Sequence, residues 1–327
     1  MLTAMTFKKE THLTYRYDEF LRPAPPYSCG LTLKKPAGWD LFTPFEIYGD
    51  GKLWTAAPVD GRLTGFLIRF SGDVMSALLR IRVFTERPAD GNFRERIRNF
   101  LFSRLSLDED LSGFYSMAEK DPILRHTVEK LYGMHPTAPA DIFFEAVLAI
   151  TLQMAPIKRS LEMMECFISG YGETAVLDSR TVHVWPGADK ISRISEKSLR
   201  KECRFGFRAP YVVNSAAMIS SGFPSYEELA AMPPEKARDK LMELPGIGDY
   251  SVDIISPAGG FPIDAWSADV FGELFFGKRP ENRRSQISRI KKEGISRWGK
   301  YSWMAFFYIV QDLPGLSEKL GVSLRLT

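Results

Sequence analysis

Several features are missing from this 327-residue sequence, and each absence narrows the reading. Cysteine is scarce: Cys29, Cys166 and Cys203 are odd in number and far apart. That spacing makes neither a disulfide framework nor a zinc ligand set, so a reducing, cytoplasmic setting is expected. No four-cysteine cluster is there to hold an iron–sulfur centre. The opening Met1-Leu2-Thr3-Ala4-Met5-Thr6-Phe7-Lys8-Lys9-Glu10 has no long apolar run, so neither a signal peptide nor a membrane anchor is read. A marked excess of one charge sign is lacking as well. A net +3 with a pI near 8.6 is compatible with a nucleic-acid partner without pointing to one. There are no internal repeats and no low-complexity tracts.

What is present suits a folded protein of two or three domains. Hydrophobic residues make up 45%, aromatic residues 13% and charged residues 25%, enough for a sizeable core and unlike a disordered chain. Residues 11–90 read as short β-prone runs punctuated by Gly49-Asp50-Gly51 and Val59-Asp60-Gly61, an antiparallel pattern. Runs at Cys29–Leu33, Lys52–Ala57, Leu63–Phe70 and Ala77–Phe84 are the expected strands. From about residue 91 the period becomes helical and stays so to the end. The expectation is an α+β protein, with an antiparallel β domain over 1–92 and a two-lobed helical core over 93–327. Asp141 is a plausible N-cap for Ile142–Leu152, which is apolar nearly all round and reads as a buried central helix.

The most informative stretch is Leu244-Pro245-Gly246-Ile247-Gly248, followed by Pro262-Ile263-Asp264. A helical pattern ends at Leu244, two glycines allow a turn that other residues follow poorly, and a new helix starts at once. Its first amides would emerge at the turn, where they attract phosphate oxygens. By itself the pattern also fits a plain corner between two helices with a glycine cap.

In order and spacing, these residues resemble the helix-hairpin-helix (HhH-GPD) DNA glycosylase superfamily. Its signature is Leu-Pro-Gly-hydrophobic-Gly and then Pro-hydrophobic-Asp. The segment Phe144–Gln153 is similar to the family's central helix and its glutamine, and Gly206-Phe207-Arg208-Ala209-Pro210-Tyr211 to its Gly-Tyr-Arg-Ala-x-Tyr segment. The match covers roughly 95–313, and the β-rich start resembles the extra domain of the 3-methyladenine glycosylase II and 8-oxoguanine glycosylase branches. The resemblance implies a hairpin over 234–257, a chain that crosses between two lobes, and a cleft between them.

It also implies a site. Asp264 would be the catalytic carboxylate, stabilising positive charge on a deoxyribose as the glycosidic bond breaks; read alone, it is equally a helix N-cap. Gly246, Ile247, Gly248 and Ser251 would meet a DNA phosphate, with Arg208, Gln153 and Met154 completing the DNA contacts. Met154 falls where the family inserts a wedge into the gap left by a flipped base. Tyr250, Trp266 and Phe307 are expected in the base pocket, with Trp298 and Trp303 as further candidates. Backbone carbonyls of Met242, Leu244 and Ile247 could face a monovalent cation; no other cofactor is expected. Bifunctional members carry a lysine nucleophile where Tyr250 stands here, and no lysine lies between Lys240 and Lys278. A Schiff base needs an amine, so a monofunctional enzyme is expected. Trp266 and Asp269 depart from the usual histidine and basic residue. A basic cluster from Lys278 to Lys300 could meet phosphates or simply face solvent.

The expected partner is therefore double-stranded DNA with a damaged base, bound by a monomer away from membranes, and alkylated purines such as 3-methyladenine are the expected substrates. An oxidised-purine (8-oxoguanine-type) glycosylase and a non-catalytic DNA-binding hairpin module are the alternatives.

Overall fold

Three two-residue turns set the β architecture. At Asp50-Gly51, Asp60-Gly61 and Asp178-Ser179 both central residues have positive φ, the geometry that matches the twist of paired antiparallel strands. The computed structural model describes residues 10–34, 46–137, 141–265 and 267–324. In chain order its elements begin with β1 (Glu10–His12), β2 (Tyr15–Leu21), α1 (Cys29–Leu33), β3 (Ile47–Gly49), β4 (Lys52–Val59), β5 (Arg62–Ser71) and β6 (Leu78–Thr85). Helices α2 (Gly91–Arg104), α3 (Ser112–Ala118), α4 (Leu124–Lys130), α5 (Ile142–Leu152) and α6 (Ile157–Tyr171) follow, then β7 (Glu173–Leu177) and β8 (Arg180–Val184). The remainder is helical: α7 (Ala188–Ile191), α8 (Glu196–Glu202), α9 (Ala209–Ser220), α10 (Tyr226–Ala230), α11 (Pro234–Met242), α12 (Asp249–Ile255), α13 (Ser267–Phe276), α14 (Arg283–Trp298), α15 (Ser302–Gln311) and α16 (Leu313–Leu320). The class is α+β, as expected.

The chain divides into two compact units that cut across the expected boundary at residue 92. One comprises residues 1–109 and 133–221, the other 110–132 and 222–327. In the first, a five-stranded antiparallel sheet runs in the order β2-β6-β5-β4-β3. Phe66, Ile68, Leu79, Ile81 and Val83 on one face pack with Phe93, Ile97 and Leu101 of α2. Trp54, Leu67 and Phe84 on the other face pack with Leu13, Ala175, Leu177 and Val182. Both faces are covered, which explains why β5 reads as a continuous apolar run instead of an alternating one.

Three expectations are corrected here. Cys29–Leu33 is a helix, not a strand: Ser28 caps it, and Thr32 is drawn inward to accept the His135 amide at 3.1 Å. The helical region is interrupted by the hairpin β7–β8, whose β7 pairs in parallel with β1. Cys166 on α6 and Cys203 at the end of α8, read from spacing as forming no disulfide framework, are joined in a disulfide with Cα atoms 5.3 Å apart. Their separation of 37 positions along the chain hid that proximity.

Helix α5 is the buried element the sequence suggested, with every residue from Ile142 to Thr151 buried and Asp141 accepting the Phe144 amide at 2.7 Å. One of those residues is a carboxylate. Glu145 borders a cavity of about 80 Å³ lined also by Phe66, Arg104, Asp141, Phe144 and Trp185. Burial pushes its titration up to about 8, against an opposing pull from Arg104.

Candidate active site

The hairpin helices α11 and α12 lie in the second unit. Leu241, Leu244 and Ile247 are buried and fasten α11, the turn and α12 from within. Gly246 has φ of +80°, a conformation that side chains resist, so glycine is required at that position. Gly248 is exposed and serves as the N-cap of α12 without a side-chain cap, so the first amides of α12 emerge at the turn. Ile247 donates its own amide to the Leu244 carbonyl at 3.0 Å, so it anchors the turn more than it presents a donor. Ser251 is buried in the first turn of α12.

The two hairpin helices are clamped by charge. Arg238 of α11 pairs with Asp249 and with Asp253 of α12, the latter at 2.8 Å, and Lys291 of α14 also pairs with the buried Asp253. Asp269 is held by Arg283, with Nε donating at 2.8 Å. Asp249, Asp253 and Asp269, the carboxylates nearest Asp264 in the sequence, are thus each paired with a cationic side chain.

Asp264 is placed differently. Its Oδ1 accepts the Ser267 amide and the Ser267 hydroxyl, both at 2.7 Å, and its carbonyl accepts the Ala268 amide. It therefore caps the start of α13. Beneath it Phe261, Pro262 and Ile263 are buried. The Phe261 ring packs against Phe271, Trp298 and Phe306 at 5.0–5.8 Å, in space that exists because Gly294 has no side chain. This aromatic floor fixes the backbone from which a half-buried carboxylate projects. The floor was not foreseen.

Tyr250 is the neighbour that matters chemically. Burial, and then the charge of Asp264, raise its phenol well above the ordinary range, so it is a neutral hydroxyl beside the carboxylate. Phe307 and Trp303 lie on α15, partly exposed and stacked almost parallel at 5.6 Å. Trp298 is not a pocket residue: it is buried and donates to Asp121 at 3.0 Å. Trp266 lies outside the described residues.

The basic cluster is also largely used up inside the protein. Lys291 and Arg283 are paired as above, Arg297 reaches Asp121 and Glu293, Arg279 donates to the Ser323 carbonyl, and Arg289 lies over the Phe276 ring.

The first unit carries the other expected residues. Gln153 ends α5, and Met154 follows it in the α5–α6 loop with φ of +48° and 86% exposure. Arg208, expected at DNA, is instead buried, and its Nε and Nη2 both donate to the Gln153 carbonyl. Phe207 beside it is half exposed.

No family model matches the chain. It is 25% identical over 226 residues to a DNA-3-methyladenine glycosylase of Bacillus subtilis (strain 168), covering 68% of this chain and 74% of the relative. It is 23% identical over 241 residues to a probable N-glycosylase/DNA lyase of Methanothermobacter thermautotrophicus, covering 67% and 75%. In fold it superposes with a TM-score of 0.69 on an 8-oxoguanine glycosylase/lyase of Clostridium acetobutylicum in complex with DNA, at 16% identity, covering 95% of this chain and 99% of that one. The chain is thus similar in sequence to DNA glycosylases, and it shares the fold of solved glycosylase structures.

Among the described residues no helix is long and apolar enough to cross a membrane.

Proposed function

We propose that the protein is a monofunctional DNA glycosylase of base-excision repair that hydrolyses the glycosidic bond of flipped-out alkylated purines such as 3-methyladenine. The observation that carries this reading is Asp264: a half-buried carboxylate at a helix start, beside a neutral Tyr250 and sixteen residues after the hairpin glycine. As the bond to the base stretches, positive charge grows on the deoxyribose. A preplaced carboxylate stabilises that charge without reorganising, and it can orient or deprotonate the attacking water. Its Oδ1 is steadied by Ser267, which holds the group's direction.

The alkylpurine preference rests on the aromatic character of Tyr250, Trp303 and Phe307. Electron-rich faces attract a base that already bears positive charge, and such a base leaves with little acid catalysis. Tyr250 in the slot for a lysine removes the amine that a strand-nicking step requires. Gly246, Gly248 and the first amides of α12 would grip one phosphate without reading sequence, and Met154, with Gln153, would fill the gap behind the extruded base. Carbonyls of Met242, Leu244 and Ile247 would hold a monovalent cation, which supplies positive charge toward that phosphate. The protein would work as a monomer on double-stranded DNA.

The test uses duplexes carrying one 3-methyladenine-type lesion or one 8-oxoguanine, incubated with the protein and then treated with hot alkali. The reading expects cleavage at the alkylated base only. Cleavage only at 8-oxoguanine, the substrate of the Clostridium acetobutylicum enzyme of similar fold, would favour the oxidised-purine alternative. Binding without cleavage of either would leave a non-catalytic hairpin module.

A further inference from the structure

Arg208 is an unusual residue to bury. It is 6% exposed, and the charged group acting on it is Arg159, a like charge that, after burial itself, lowers its pKa. A buried guanidinium normally faces a carboxylate, because desolvation is costly. This one spends two donors on a single main-chain carbonyl, that of Gln153, with Nε at 3.1 Å. Its planar group also lies 4.4 Å from the Phe207 ring centroid. The arrangement is better explained by what the carbonyl belongs to.

Gln153 is the last residue before Met154, and Met154 adopts a left-handed backbone conformation that costs a methionine of order 1 kcal/mol. Strain of that kind persists only where the surroundings impose it. Here the loop base is tied from three sides. Arg208 grips the Gln153 carbonyl, Ser160 of α6 donates to the Thr151 carbonyl at 2.9 Å, and Arg159 donates to the Arg204 carbonyl at 3.0 Å. The disulfide between Cys166 and Cys203 fastens α6 to the end of α8, just before the segment that carries Arg204 and Arg208. A large apolar side chain thus stands almost fully in solvent on a foundation that has little freedom to move.

We propose that Arg208 is a positioning residue for base extrusion: it holds the α5–α6 loop so that Met154 is presented, pre-ordered, to the duplex. The proposal rests on the reading of Met154 as the inserted residue. Without the two bonds the loop relaxes, ordering it at the moment of insertion adds an entropic cost, and extrusion suffers while the chemistry at Asp264 is untouched.

The experiment compares wild type with Arg208→Met, Arg208→Lys, Met154→Ala and the double variant Arg208→Met/Met154→Ala. Each is assayed under single-turnover conditions on one alkylated lesion in a fully paired duplex and on the same lesion flanked by a mismatch, where extrusion costs less. The ratio of the two rates is taken on one preparation, so a smaller folded fraction cancels. Arg208→Met is expected to lower the paired-to-mismatched ratio about tenfold, in step with ~1.4 kcal/mol of lost preorganisation, with Arg208→Lys in between. The double variant should be no worse than Met154→Ala alone, because both act on one step. A 2-aminopurine beside the lesion should brighten less with Arg208→Met than with wild type at saturating protein. If Arg208→Met does not fold, Arg208→Lys decides by the same ratio.

A wild-type ratio in the arginine variants, with a reduced one in Met154→Ala, overturns the positioning role and leaves the wedge standing. A wild-type ratio in Met154→Ala removes the wedge reading and this proposal with it. A loss that depends on the base opposite the lesion, with the ratio unchanged, overturns it too, because Arg208 would then touch the DNA itself.

Discussion

Replacing Glu145 by glutamine should make the protein more stable at alkaline pH and leave it nearly unchanged in acid. Glu145 sits in the otherwise apolar α5 and titrates near 8 in the folded protein, against an ordinary value of 4.5. Below pH 4.5 both folded and unfolded chains hold the proton, and the group costs nothing. Between 4.5 and 8 the unfolded chain ionises while the folded one stays protonated, so stability falls as pH rises, and above 8 the whole contribution is lost. A displacement of about 3.5 pH units at ~1.4 kcal/mol each sets a ceiling of roughly 5 kcal/mol, reduced in practice by relaxation around the cavity. Glutamine keeps the shape and removes the titration. Urea denaturation of wild type and Glu145→Gln at pH 5.0, 6.5 and 8.5 reads the difference directly. The gap in stability should widen steadily in favour of the variant as pH rises. A gap that stays constant, or that widens toward acid, refutes the argument that burial governs this carboxylate.

Four further outcomes follow. Thiol titration of the denatured, unreduced protein should find one free thiol, Cys29, and three after reduction; three before reduction would deny the Cys166–Cys203 bond. Reduction, or Cys203→Ser, should cost roughly 3–4 kcal/mol of stability on the loop-entropy estimate, read by thermal or urea melts. Borohydride should fail to trap the wild-type protein on damaged DNA, since Tyr250 offers no amine; efficient trapping would restore a lyase step. Replacing potassium by tetramethylammonium at equal ionic strength should weaken duplex binding, and unchanged binding would rule out the hairpin cation.

Much of the fold could be read locally, because the physics that set it is local. Asp50-Gly51 and Asp60-Gly61 dictate their turns, the apolar run Ile142–Leu152 has no polar face to expose, and Gly246 must take a positive φ. Asp178-Ser179 makes the same turn as the Asp-Gly pairs without a glycine, so hairpin β7–β8 escaped notice. Cys29–Leu33 has a strand-like composition, and the Ser28 cap together with tertiary contacts, such as that of Thr32 with His135, favours the short helix. The site shows the same division. The spacing from Gly248 to Asp264 is visible in the chain, whereas Asp253, Asp269 and Asp121, which pair with Lys291, Arg283 and Arg297, lie 14 to 176 residues from them and could not be seen. Burial of Arg208 is likewise a property of packing. A motif identifies the residue type, but the direction in which its charge points is decided by the rest of the molecule.

The central claim is that the Asp264 carboxylate drives excision, and Asp264→Asn tests it most directly. Asparagine is an equally good N-cap and keeps an oxygen for the Ser267 amide, so the melting curve should hardly move. Duplex binding should survive, and single-turnover excision should fall by about 10²-fold or more, the cost of losing one preorganised electrostatic stabiliser. A variant that binds, folds and excises at close to the wild-type rate would contradict the account.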